Sequence, residues 1–316
     1  EVECRIGNAV YPSHYDVGWH ITGTAGVFGA AAAVGKILKL NQQQMTWALG
    51  IAATQSSGLR EMFGTMCKPF HPGRAAQNGM TAAFLAAKNF TSSERGLEAP
   101  RGFANVLATA RNYDEITGNL GKTWEVSLNT YKPFACGIVI HPIIDGCVQL
   151  RNEHKLKAAD IESIALKVHP LVLELTGKNT PQVGLEGKFS VFHSAAVAII
   201  HGEGGEDVYS DEVVRNPEVI TLRDKVSAEV DKSVHEDAAH VTITLKDGRT
   251  LVKHVEHAIG SLARPMSDAD LEAKFRKFSN AVLGNAQTDA LLKLCWSVDS
   301  LKDAGDIARA SVPGKR

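Results

Sequence analysis

The stretch Ser163-Ile164-Ala165-Leu166-Lys167-Val168 decides the fold class, because it is where the chain stops reading as helix. Ile164, Leu166 and Val168 alternate with Ser163, Ala165 and Lys167, the two-residue period of a half-buried strand. Val241, Ile243 and Leu245 repeat the pattern against Thr242, Thr244 and Lys246, and Asp247-Gly248 then leads into a second β-prone run, Thr250 to Val255. A glycine supplies the positive φ of a tight turn, so a hairpin is expected there. Phe189 to Ile200, between these strands, reads as helix, which makes the middle of the chain an α+β unit.

On the amino-terminal side, alanine-rich segments near 22–40, 43–56, 74–88 and 102–111 show no sustained alternation and predict helices. Within the first, Gly23, Gly26 and Gly29 recur every third residue, which matches neither the dinucleotide fingerprint nor a Walker A loop. Small residues at that spacing let a helix pack close to a neighbour. On the carboxyl side, Ser267 can cap a helix with Asp268 and Asp270 in its first turn, and Leu271, Phe275, Phe278 and Val282 recur on one face. The expected architecture is therefore mainly α with an α+β insertion. A helical domain is built from residues 1–127 and 263–316, a smaller α+β lid domain occupies 128–262, and 311–316 form a frayed tail.

Composition narrows the function classes. Lys and Arg number 34 against 35 Asp and Glu, so no global field recruits nucleic acid or an acidic membrane. The longest strongly apolar run, Ala25 to Gly35, falls short of the roughly 20 residues that span a bilayer. Five scattered cysteines without a C-x-x-C pair argue against a disulfide scaffold, a structural zinc or an iron–sulfur cluster, and fit a reducing, cytoplasmic setting. No H-E-x-x-H and no G-x-S-x-G occurs, so neither a metal site nor a serine nucleophile is expected.

Four polar clusters punctuated by Gly or Pro remain as candidates. In Gly18-Trp19-His20-Ile21-Thr22-Gly23-Thr24, His20 and Thr24 stand at a helix start, where free backbone N–H groups can hold an anion or a structural His can simply cap. In the segment from Gly64 to Arg74, two prolines are expected to stop helix and to present Lys68, His71 and Arg74 from a stiff loop suited to a carboxylate or phosphate, the alternative being a solvated basic turn. Lys132, in Tyr131-Lys132-Pro133-Phe134-Ala135-Cys136-Gly137 ahead of His141 and Asp145, sits among apolar residues at the expected domain junction. Lys188 and His193 flank a turn that runs into a helix. The other histidines, His14 among them, read as surface or strand residues. Cations that hold carboxylates, together with a His that moves a proton, suit proton transfer on a small polycarboxylate.

The blocks GWHITGTAGVFGAAAAVGKIL, GLREMFGTMCKPFHPGRAAQNG, YKPFACGIVIHPIID, LEGKFSVFHSAAVA and RPMSDADLEAKF, in that order, resemble the MmgE/PrpD family. That family includes 2-methylcitrate dehydratase, cis-aconitate decarboxylase and iminodisuccinate epimerase. The resemblance implies a helical domain interrupted by an α+β lid, a homodimer, and catalysis without metal or cofactor. It also implies roles. His20 looks like the active-site histidine of the G-[WF]-H motif, Lys68 the lysine of K-P-[LF]-H and Lys132 the lysine that opens the lid, while His193 stands where relatives place a tyrosine or histidine. Lys188 would be a substrate contact by the same analogy, and Thr24 and Arg74 join it from the reading of their own segments. Relatives carry a longer amino-terminal region with an acidic, histidine-containing motif, so this sequence is expected to be part of a longer chain or a truncated relative. The reading reached is a lyase on a small di- or tricarboxylate, foremost a 2-methylcitrate dehydratase-like enzyme. Decarboxylation, epimerisation and a non-catalytic metabolite-binding relative are the alternatives.

Overall fold

The computed structural model describes residues 1–314; of the expected tail 311–316, the last two positions lie outside the described residues. Contacts divide the chain into two compact units. The first comprises Glu1–Asn129, Leu175–His193 and Tyr209–Asn216; the second comprises Thr130–Glu174, Ser194–Val208 and the described chain from Pro217 onward.

The first unit is built on the helices Val2–Val10, Ile21–Ile37, Gln42–Ala53 and Cys67–Ala87. Asn41 starts the third of these with a reciprocal cap, accepting from the Gln44 N–H at 2.9 Å while its own N–H donates to the Gln44 side chain at 3.2 Å. The core is mostly small side chains: Ala31, Ala48, Ala52, Ala75, Ala82 and Ala86 surround Val27, Phe28, Ile51 and Phe103. Close approach replaces bulk. A Cβ at Gly79 would stand 2.5 Å from both the Val27 carbonyl oxygen and the Ala30 Cβ, so the Cys67–Ala87 helix meets the Ile21–Ile37 helix backbone at a position only glycine can fill. The glycine repeat serves the same packing from the other side: Gly26 faces Ala75, and Gly29 faces Glu3.

Two expectations change here. Helix begins at Cys67, not near Arg74, and it contains both prolines. Pro69 lies in the first turn, where its missing N–H would have had no helical partner anyway, and Pro72 forgoes only the bond to the Lys68 carbonyl. The 102–111 segment is helical only over Phe103–Leu107.

The second unit holds a four-stranded sheet in the order β2-β1-β3-β4, with β1 Ile161–Val168, β2 Val226–Val230, β3 Ala239–Leu245 and β4 Thr250–Val255. β1 and β2 run parallel; the other pairs are antiparallel, and Gly248 takes φ +88° in the β3–β4 hairpin as expected. Ile161, Ile164, Leu166 and Val168 of β1 are buried together with Val241, Ile243 and Leu245 of β3. The His141–His154 helix lies on β3 and β4, and Gly146 admits the side chains of Val241 and Val255.

Residues 263–316, joined by the sequence reading to the amino-terminal helices, fall in the second unit, and 175–193 and 209–216 fall in the first. Side-chain anchors account for the former. From the capped helix Asp268–Leu283, Lys274 donates to the Lys132 carbonyl at 2.6 Å and Lys277 pairs with Glu203 at 2.6 Å and Asp207 at 3.1 Å. The expected apolar face of that helix is only partly covered, with Phe278 and Val282 exposed. No helix among the described residues is long and apolar enough to cross a membrane.

Candidate active site

His20 ends an extended segment and stands as the residue before the Ile21–Ile37 helix. Its backbone is fixed at both ends: its N–H donates to the Gly58 carbonyl at 3.0 Å, and its carbonyl accepts from Gly23 at 2.9 Å and Thr24 at 3.2 Å. The side chain makes no cap bond and is turned into the unit, where it is buried. There its Nδ1 lies 2.9 Å from Nδ1 of His71, with the Phe63 ring edge-on at 5.0 Å.

The helix that starts at Cys67 explains why these groups meet. Cys67, Lys68 and His71 are related by three or four residues and share one face of the first turns. His71 is buried, and its Nε2 lies 4.0 Å from the Cys67 thiol. Burial, then the Lys68 ammonium, then His71 push His20 down to about 4. Burial and Lys68 lower His71, and burial lowers Lys68 itself. Burial thus disfavours the charged form of all three groups, His20 most clearly. An arriving carboxylate reverses this pressure, since a nearby negative charge favours protonated His and Lys.

His14, read from sequence as a surface or strand residue, is fully buried beneath this turn. Its Nδ1 donates to the Leu107 carbonyl at 2.8 Å, which leaves Nε2 of the neutral ring to accept from the Thr24 hydroxyl at 2.6 Å. Burial keeps that ring neutral by lowering its pKa. Thr24 is thus taken up in holding the helix start. Arg74 is exposed and bonds Gln77 on its own helix at 2.7 Å.

His193 belongs to the same unit. The Ser190 hydroxyl accepts from its backbone N–H at 3.1 Å as the Val191–His201 helix begins, and its ring is fully buried 5.6 Å from that of Tyr209. The Phe189 ring lies 5.8 Å from that of Phe63. Lys188, half-buried, closes the short helix Gly184–Gly187. Lys132 lies in the second unit; it is exposed and donates to the Cys136 carbonyl at 3.1 Å. Its neighbour His141 is buried and pushed down to about 3 by that burial, with Lys132 and Lys274 adding to it.

The structure thus gathers His20, Lys68 and His193 in one unit and adds His71, which the sequence reading left as one cation of a basic loop. Among the described residues no group of three or more His, Cys, Asp or Glu is placed to hold a metal ion.

Comparison with known proteins joins these observations. Over 326 residues the chain is 27% identical to a cis-aconitate decarboxylase of Aspergillus terreus, covering 95% of this chain and 66% of the relative. It is 26% identical to proteins of the same name from Mus musculus, over 92% of this chain and 62% of the relative, and Homo sapiens, over 90% and 61%. The chain therefore spans less than two thirds of the length of these curated relatives. The family model for the MmgE/PrpD N-terminal domain matches residues 1–116, which hold His20, Lys68 and His71, and that for the MmgE/PrpD C-terminal domain matches 134–298, which hold the sheet and His193. With both halves matched in the family's own order, the chain belongs to the MmgE/PrpD family.

Proposed function

We propose that this chain carries catalytic groups of a cofactor-independent lyase acting on a small di- or tricarboxylate, with decarboxylation of a cis-aconitate-like substrate as its reaction. The observation that carries the reading is the buried His20–His71 pair beside Lys68. A desolvated cation attracts a carboxylate strongly, and an imidazole held neutral near it can take or give a proton as charge develops. The name shared by fungal and mammalian relatives supports decarboxylation.

In that reaction the bond from the departing carboxylate to carbon breaks and releases carbon dioxide. Its electron pair moves into the adjacent carbon–carbon double bond, which shifts by one position, and the far carbon takes a proton. Lys68, Lys188 and Arg74 of the first unit hold the remaining carboxylates, whose charge would otherwise oppose the developing carbanion. His20 or His193 delivers that proton; in a dehydration the two would divide the roles of base and acid.

Dehydration of a 2-methylcitrate-like hydroxy acid is the second reading, favoured by the burial of both His20 and His193 in one unit: elimination of water needs a base for the C–H and an acid for the departing hydroxyl. Proton NMR in D2O with cis-aconitate, 2-methylcitrate and iminodisuccinate in separate tubes separates the possibilities. Loss of carbon dioxide, gain of an alkene and deuterium exchange leave different spectra. Conversion of cis-aconitate with loss of one carbon is expected; turnover of 2-methylcitrate alone would replace the first reading with the second.

A further inference from the structure

His71 is held more closely than a loop cation needs to be. Two glycines make room for it. A Cβ at Gly58, where φ is +127°, would stand 3.1 Å from its Nδ1, and one at Gly23 would stand 3.1 Å from its Cβ and 2.6 Å from the Ser57 carbonyl oxygen. Its Nε2 faces the Cys67 thiol, and its Nδ1 faces Nδ1 of His20. An N–H···N bond of 2.9 Å requires one nitrogen to carry hydrogen and the other to be bare. Two neutral imidazoles joined in this way share a single hydrogen. Two hydrogens would collide, and none would leave two lone pairs opposed in a buried place. A neutral ring with its Nδ1 state settled has its Nε2 state settled too: bare if Nδ1 carries hydrogen, hydrogen-bearing if it does not.

We infer that His71 is the positioning residue of this site: the Nδ1–Nδ1 hydrogen bond couples the tautomer of His20 to that of His71, and the Cys67 thiol at Nε2 of His71 makes the two directions of that bond unequal, so that Nε2 of His20 meets the substrate in a single protonation state. The inference rests on the reading of His20 as a proton-transfer group. The partner of a catalytic imidazole usually sets which of its nitrogens is bare, and a wrong tautomer costs rate without disturbing geometry.

The test begins without substrate. Bare and hydrogen-bearing ring nitrogens resonate far apart in 15N spectra, so long-range 1H–15N correlation on the 15N-histidine-labelled protein, at about pH 8 where neutral rings prevail, reads the tautomer directly. Signals of His20 are assigned by their loss in His20→Gln. One tautomer of His20 is expected in the wild type. His71→Asn restores a hydrogen-bond partner near the position of Nδ1, and His71→Ala, which removes it, yields averaged shifts from two exchanging tautomers. In turnover, His71→Ala lowers kcat about tenfold or more, on the scale of lost orienting partners, with a smaller change in KM, and His71→Asn restores most of it. An exchanging His20 in the wild type overturns the inference whether or not the alanine variant folds, and so does a single His20 tautomer that persists in His71→Ala. Absence of turnover with every carboxylate would remove the proposed function and leave the spectra standing.

Discussion

Two groups of histidines in this molecule, one in each unit, behave in opposite ways. In the first unit His20 and His71 face each other as buried side chains, with the Lys68 cation as their charged neighbour, and both are pushed below the ordinary value. In the second unit His235 and His257 flank Asp237, donating to its two oxygens at 2.5 and 2.8 Å near the surface. There the hydrogen bond and charge of Asp237 raise His235; burial of Asp237 works against its own ionisation, and the bonds from His257 and His235 outweigh it. Solvation and the sign of the neighbour, not residue type, decide whether an imidazole is kept as a base or as a cation. The first arrangement is the one proposed to move protons; the second is a surface ion pair of the kind that contributes little.

The largest effect that could break this contrast is on turnover. His20→Ala is expected to lower kcat/KM about a hundredfold or more, the scale of a positioned acid–base group, whereas His235→Ala stays within about twofold of the parent, as surface changes do. Equal losses in the two variants, measured with the same carboxylate, would erase the distinction. Next comes packing beneath the buried pair. Phe28 is fully buried against Phe103, and Phe28→Ala should cost about 3–5 kcal/mol in urea unfolding, while exposed Val252→Ala changes stability by no more than about 0.5 kcal/mol.

Opposite pH slopes sharpen the comparison further. His20 falls from an ordinary 6.5 to about 4 on folding, so the unfolded chain takes up the proton first. Its contribution is intact above 6.5 and is lost as the pH drops from 6.5 towards 4. His235 is raised on folding, so its contribution is present below 6.5 and disappears as the pH climbs through its folded value. Urea midpoints measured across this range should therefore lose acid sensitivity in His20→Ala. The smallest effect is Asp237→Asn: the titration of His235, followed by NMR, returns towards 6.5 while stability moves by less than about 1 kcal/mol.

Much of this was legible in the chain itself. Alanine-rich segments without alternation became the helices of the first unit, and Ile164, Leu166 and Val168 fell on the buried face of β1 as their spacing implied. β2 was missed although Val226, Ala228 and Val230 alternate with Ser227 and Glu229, because that period runs over only five residues of an edge strand with one buried side chain. The start of the Cys67–Ala87 helix was misplaced because proline was weighed as a helix breaker, although the first turn tolerates it. His20 and Lys68 drew attention through their Gly- and Pro-rich settings. The partnership of His20 with His71 spans 51 residues and had no local trace beyond the helical spacing of Cys67, Lys68 and His71. His14 left none, since only the folded core shows that its ring is sealed between Leu107 and Thr24.

The alanine-built core of the first unit has a calorimetric consequence. Unfolding raises heat capacity in proportion to the apolar surface exposed, typically about 12–15 cal/mol/K per residue. Alanines packed against glycine-sized gaps expose less such surface per residue than the isoleucines and valines around the sheet. The amino-terminal helices should therefore contribute less than their share of that heat capacity, and their stability should change more gently with temperature than that of the sheet.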